Sequence, residues 1–259
     1  MGSVAVKTAK EIDLMKESGR IVAEVLSLVG TRIAPGVQTR ELDTIAEEYI
    51  VSQGGVPAFK GYGHDPSNLF PGTLCISIDD EVVHGIPDGR RLEEGQVVSV
   101  DVGVKKNGYF GDGARTFPVG RISADKLRLL KVTEESLYKG IEQARAGSHL
   151  HDVSAAVQTY VEAAGFSVVR DLVGHGIGRN LHEDPPVPNY GTMGTGLVLK
   201  EGMALAIEPM VNAGTYKVRM EKDGWTVKTS DGKPSAHFEH TIIIRTGNAE
   251  ILTGQRSTL

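Results

Sequence analysis

The chain has 259 residues, 40% of them hydrophobic and 24% charged, with a formal net charge of -5. This is the composition of an ordinary soluble globular protein with enough apolar residues for a sizeable core, and its acidic balance speaks against a broad nucleic-acid footprint. A single cysteine, Cys75, rules out an intrachain disulfide and a thiolate zinc cluster and fits a reducing compartment.

Apolar runs such as Ile242-Ile243-Ile244 are far too short to cross a bilayer, and the N-terminus lacks the apolar core of a signal peptide, so a cytoplasmic protein without a membrane partner is expected. Met1-Gly2-Ser3 opens like a myristoylation site, but Val6 stands where Ser or Thr is needed. Thr8-Ala9-Lys10-Glu11 is a capping box and predicts a helix to about residue 33, with Ile12, Met15, Gly19, Val22, Leu26 and Val29 on one stripe. Pro35-Gly36 stops it. A second helix follows from about 39 to 53, carrying Leu42, Ile45, Ala46 and Tyr49, and Gly54-Gly55 ends it. Residues 56–72 read as a loop rich in Gly and Pro, followed by the strand-like segments CISI and EVVHGI.

Residues 94–117 read as a buried hairpin. Val98, Val100 and Val102 alternate with Ser99, Asp101 and Gly103, the period of a strand, and Asn107-Gly108 is a strong two-residue turn signal. That turn sets Lys106 opposite Tyr109, Asp101 opposite Ala114 and Asp112 opposite Gly103. Both carboxylates then share a face as diagonal neighbours, roughly 7–8 Å apart. Two such acids repel and are costly to desolvate unless a cation lies between them or one keeps a proton. A slip of one residue would put them on opposite faces, and a solvated hairpin face with scattered acids is the plainer alternative.

From Ser123 the pattern restarts: a long helix to about 146, a second near 151–164, and a stop at Gly165. Gly36, Leu42, Tyr49, Ile50 and Gly54 match Gly147, Val153, Tyr160, Val161 and Gly165 at a constant spacing of 111 residues. Later, His84-Gly85-Ile86 echoes His175-Gly176-Ile177, and residues 94–101 echo 201–208, which pairs Asp101 with Glu208. Three matches in one order favour duplication. The expectation is one α+β catalytic domain over 1–259, with halves of about 1–120 and 121–259 and helices packed outside a central, mostly antiparallel sheet.

Two further residues stand as candidate ligands: His175 between two glycines, and Glu239 in Ala236-His237-Phe238-Glu239-His240-Thr241-Ile242. With Asp101, Asp112 and Glu208 they make four carboxylates and one imidazole, a set suited to divalent ions, and four negative charges balance two of them. Two ions about 3.5–4 Å apart can lower the pKa of a water and polarise a carbonyl. Taken singly, a strand Asp is more often a solvated or capping acid and a lone His a hydrogen-bonded structural residue; five coincidences are another matter. His64, His149 and His151 sit in loop or helix-start contexts and read as structural. His237 and His240 point to opposite faces on a strand and are excluded as ligands. The glycine clusters at 61–63 and 191–196 lack a dinucleotide fingerprint.

VVHGIP (82–87), VSVDVG (98–103), GYFGDGARTF (108–117), GHGIGRNLHEDP (174–185), AIEPM (206–210), DGWT (223–226) and HFEHTI (237–242) together resemble the type I methionine aminopeptidases, over essentially the whole chain. The resemblance implies the pita-bread fold, with Asp101, Asp112, His175, Glu208 and Glu239 holding a dimetal centre and Asp112 and Glu239 bridging its two divalent ions. Cobalt, manganese, iron and zinc all stay open as their identity. It implies that His84 and His182 contact substrate and tetrahedral intermediate without binding metal, and that Glu208 shuttles the proton as activated water attacks the first peptide bond. Phe59, Tyr62, Cys75 and Trp225 would form the slot for the methionine side chain. The implied substrates are nascent polypeptides or peptides beginning with Met before a small residue, a description that Met1-Gly2 of this chain itself meets; a monomer is expected and ribosome association is open.

The chain departs from compact bacterial members in a longer 63–74 stretch and in Leu181, where an aromatic can occur before His182. No insertion of type II size falls between His175 and Glu208, and no zinc-binding extension precedes the first helix. The nearest rival is an X-Pro dipeptidase of the same fold, which commonly carries an additional N-terminal domain. A non-catalytic pita-bread binding protein is the other alternative, and the intact ligand set argues against it.

Overall fold

The computed structural model describes residues 4–254; Met1-Gly2 lies outside the described residues. Helix α1 (Ala9–Gly30) starts where its capping box closes: Thr8 Oγ1 accepts from the Glu11 N–H, and the Glu11 carboxylate accepts from the Thr8 N–H at 2.9 Å. The predicted stripe from Ile12 to Val29 is buried. The helix ends at Gly30 rather than near 33, with the Thr31 N–H bonded to the Ser27 carbonyl. Helices α2 (Thr39–Ser52), α3 (Ala124–Gln143) and α4 (Leu150–Ala163) follow the sequence expectation, α3 stopping short of 146.

The hairpin joins strands Val97–Lys106 and Tyr109–Pro118, paired Lys106 to Tyr109, Asp101 to Ala114 and Gly103 to Asp112. Asn107 and Gly108 both have positive φ, 52° and 82°, as the primed turn that matches strand twist requires. Cys75–Ile78 pairs antiparallel with the other edge of Val97–Lys106, placing Cys75 opposite Asp101. In the second half Ala204–Ile207 is the central strand, flanked antiparallel by Gly174–Gly176 and by His240–Ile243. The two sets of strands meet where Ala114 and Glu239 exchange backbone hydrogen bonds of 3.4 and 2.9 Å.

The repeat is visible in detail. Gly36 and Gly147 take φ of 91° and 94°. The Tyr49 hydroxyl donates to Glu24 at 3.1 Å, and the Tyr160 hydroxyl donates to Glu135 at 2.7 Å, the same pair 111 residues on. Each half buries its helices on its own strands: Ile21, Val25 and Leu42 against Val98, Val100 and Val102, and Leu137, Val153 and Val157 against Leu205 and Ile207. Burying each such side chain contributes about 1.5–3 kcal/mol. A third apolar cluster, with Met15, Phe59, Phe70, Cys75 and Leu181, bridges the halves beside the site.

Two strand expectations break where the site needs them to. EVVHGI is a strand only over Glu81–Val83, because His84 turns to φ 58°. Ala236–Ile242 divides into Ser235–His237 and His240–Ile243, leaving Phe238 and Glu239 out of regular pairing. Among the described residues no helix is long and apolar enough to cross a membrane.

Candidate metal centre

A cavity of about 170 Å³ opens between the halves, and every site residue singled out from the sequence lines it: Asp101, Asp112, His175, Glu208 and Glu239 with His84 and His182, and Phe59, Tyr62, Cys75 and Trp225. Asp101 and Asp112 come from the two hairpin strands, His175 from the middle of Gly174–Gly176, Glu208 from the residue after Ala204–Ile207, and Glu239 from the break before His240. The cavity also takes Phe70, Val83, Leu172, Val173, Leu181 and Met210, which the sequence offered only as apolar residues among many.

Backbone crowding fixes the two His-Gly pairs. A Cβ on Gly85 would lie 2.2 Å from the Ile76 carbonyl oxygen, and one on Gly176 the same distance from that of Asp184. Neither position accepts a side chain without moving a strand. His175 Nδ1 donates to the Gly176 carbonyl at 2.8 Å, a bond that fixes the tautomer and leaves the Nε2 lone pair free. Nε2 faces Asp112 Oδ2 at 3.8 Å and Glu208 Oε1 at 3.7 Å. Ligand atoms of Asp112, His175 and Glu239 lie within 4.8 Å of one another. Asp112 is held at its backbone, its N–H donating to Thr241 Oγ1 at 3.0 Å and its carbonyl accepting from that hydroxyl at 2.8 Å.

The electrostatics demand a counter-charge. Burial pushes the Asp112 carboxyl up to about 7, and burial together with the neighbouring carboxylates pushes Asp101, Glu208 and Glu239 well above the ordinary range. Asp101 Oδ1 and Glu239 Oε1 are buried without a hydrogen-bond partner. Orphaned carboxylate oxygens around a neutral imidazole nitrogen fit one or more divalent cations, which would satisfy those oxygens and lower their affinity for protons. His175 itself is held neutral by burial, its pKa lowered to about 4.

The histidines outside that cluster stand at the cavity wall. Burial lowers His84 to about 4, its ring edge-on to Trp225 at 6.4 Å. His182, exposed at the mouth, packs edge-on against the His175 ring at 4.4 Å and shares a hydrogen bond of 2.5 Å with the Tyr62 hydroxyl through Nδ1. Burial raises the Cys75 thiol well above its usual value, so it lines the cavity as a small apolar group. Of the histidines set aside from the sequence, His240 bonds Thr253 and Tyr138 on the far side of the strands, whereas His237 faces into the site with Nε2 3.6 Å from Glu208 Oε2. The only signal for His237 in the sequence is its place two residues before Glu239.

The sequence profile of metallopeptidase family M24 matches residues 13–246. Methionine aminopeptidase 1 of Bacillus subtilis is 54% identical over 247 residues, covering 95% of this chain and 98% of that protein. The crystal structure of a methionine aminopeptidase from Thermotoga maritima superposes with a TM-score of 0.94 at 46% identity, covering 98% of this chain and all of that one. A prolidase from Pyrococcus furiosus shares the fold, with a TM-score of 0.78 at 23% identity, over 98% of this chain and 66% of its own length. The chain therefore belongs to metallopeptidase family M24, with the pita-bread fold and the enzymatic activity of its methionine aminopeptidases.

Proposed function

We propose that this enzyme removes the N-terminal methionine from nascent proteins and peptides whose second residue is small, using two divalent cations that Asp101, Asp112, His175, Glu208 and Glu239 would hold. The observation that carries the reading is the buried carboxylate cluster with its orphaned oxygens at the floor of an apolar-walled cavity. When bound, such cations lower the pKa of water and polarise the scissile carbonyl. Glu208 takes the proton from the attacking water and returns it to the leaving amine, a role suited to a carboxylate whose proton affinity is tuned by its neighbours. His84 and His182 are neutral and each offers one N–H to the oxyanion; a donor of this kind contributes about 2.7–4 kcal/mol in the transition state. The Tyr62 hydroxyl fixes the ring of His182 through Nδ1, which leaves Nε2 for the substrate. Phe59, Cys75 and Trp225 exclude water from the slot that takes the thioether. The chain acts as one catalytic unit across 1–259, a monomer in the cytoplasm, where nascent N-termini emerge.

Metal-stripped enzyme is expected to be inactive on Met-Ala-Ser and to recover with manganese, cobalt, iron or zinc. Reconstituted enzyme is expected to cleave Met before Gly, Ala or Ser and to leave Met-Leu and Met-Lys peptides and X-Pro dipeptides intact. Full turnover by exhaustively chelated protein would sink the metal reading. Comparable kcat/KM on small and large second residues would sink the specificity, and preferential cleavage of X-Pro would move the chain to the dipeptidase alternative.

A further inference from the structure

Among the described residues, His237 is the one whose side chain leaves two buried polar atoms without a partner. Its imidazole is 1% exposed, and neither ring nitrogen has a hydrogen-bond partner. Buried polar atoms without partners are rare in native interiors, and each one calls for a cause. The residue's backbone is clamped by Thr116, whose hydroxyl accepts from the His237 N–H at 2.8 Å and donates to its carbonyl at 2.9 Å. What it faces is Glu208: Nε2 stands 3.6 Å from Oε2, just outside bonding distance, while the other oxygen of that carboxylate, Oε1, faces His175 at 3.7 Å. A neutral imidazole has one N–H to give. The two oxygens of Glu208 are thus divided between two imidazoles, one on the ligand side and one behind.

We propose that His237 is a positioning residue for Glu208: its Nε2–H donates to Oε2 and holds the carboxylate so that Oε1 is presented to the metal and the attacking water. The inference rests on the metal and general-base roles proposed for Glu208. Partners of this kind behind a ligating group orient it, and their loss lowers metal affinity or activity about 10–100-fold.

The test compares His237→Gln, whose amide reaches as far as the ring and keeps a donor, with His237→Leu, which has none, and His237→Asn, whose amide is too short to reach. Manganese affinity is measured by calorimetry on metal-stripped protein, beside kcat and KM on Met-Ala-Ser. His237→Leu and His237→Asn are expected to lose about 10–100-fold in the affinity of at least one cation and to lose kcat while KM stays near that of the unmodified enzyme, since the methionine slot lies elsewhere. His237→Gln is expected to restore both. Should His237→Leu fail to fold, the Gln and Asn pair carries the comparison, because both are polar and differ only in reach. Equal metal affinity and kcat in all three variants overturns the proposal, as does a Gln variant no better than Asn. Glu208→Gln in the same titration separates the two readings. If it weakens metal binding and the His237 variants do not, only this inference fails. If it leaves binding unchanged, the metal role of Glu208 fails and this inference with it.

Discussion

His84 and His175 occupy equivalent places in the two halves and yet meet different surroundings. His175 spends Nδ1 on the Gly176 carbonyl and turns Nε2 to Asp112 and Glu208, whereas His84, in the left-handed region at φ 58°, lies against Trp225 on the cavity wall. His84→Ala is accordingly expected to keep its full metal content by mass spectrometry while kcat falls roughly 100-fold or more, the loss of a donor that acts mainly in the transition state. An inactive variant that has also lost a metal at saturating concentration would make His84 a ligand. The Tyr62 hydroxyl offers a finer probe. Tyr62→Phe keeps the ring that lines the cavity and removes the bond to His182 Nδ1. It is expected to lower kcat several-fold to tenfold with little change in KM, and a change confined to KM would assign Tyr62 to the slot alone.

At the scale of elements, the hairpin was the most legible part of the chain. Asn107-Gly108 permits the primed turn, the turn fixes the register, and the register puts Asp101 and Asp112 on one face, each step local in sequence. The helix pairs were legible through caps, stripes and glycine stops, with ends that run one to three residues short of the expectation because helix termini fray. What was not legible depends on tertiary contact. Glu239 reaches the site because the strand pattern around it is interrupted, and no local signal marks that interruption. The exposed His182 and the half-buried Tyr62 are 120 residues apart and meet only when the halves close. One strand over Ala236–Ile242 sets His237 and His240 on opposite faces, but the chain breaks between them, so a rule about faces does not disclose what His237 meets. The His-Gly elements yield their own prediction. Because a Cβ on Gly85 would meet the Ile76 carbonyl at 2.2 Å, Gly85→Ala is expected to destabilise by about 1–3 kcal/mol, as overpacking does, and to displace His84. Urea unfolding with unchanged m-value checks the first part, and a wild-type Cm would refute it.

At the scale of the molecule, the site is a joint between two halves. Asp101 and Asp112 come from the first, His175, Glu208 and Glu239 from the second, and in the absence of cations their carboxylates repel across the seam. Cations that bind the folded form alone should therefore stabilise the whole chain, by about 2.7 kcal/mol at a free concentration one hundred times Kd. For a protein of this length that corresponds to a rise in Tm of roughly 5–10 °C. The sign of its pH dependence follows from Asp112. Its folded, metal-free pKa is raised from 3.8 to about 7, so below about 7 a proton holds the place of the cation and must leave when the cation binds. Metal affinity should fall by up to tenfold per pH unit as pH drops below 7, about 1.36 kcal/mol for one proton. The same proton stabilises the metal-free fold, a contribution fully present below the unfolded pKa of 3.8 and lost as pH rises through 7. The neutral His84, His175 and His237, lowered to about 4, 4 and 3, act oppositely and weaken the metal-free fold as pH falls below 6.5. The difference in Tm between metal-loaded and metal-free protein removes the contributions the two forms share and isolates the linkage to the cation. Differential scanning calorimetry of both forms at pH 8, 7, 6 and 5 is expected to show that increment largest at pH 8 and shrinking steadily towards pH 5, because Asp101, Glu208 and Glu239, also raised, release protons to the cation in the same sense as Asp112. An increment that stays constant or grows towards pH 5 would remove these buried carboxylates from the cation site.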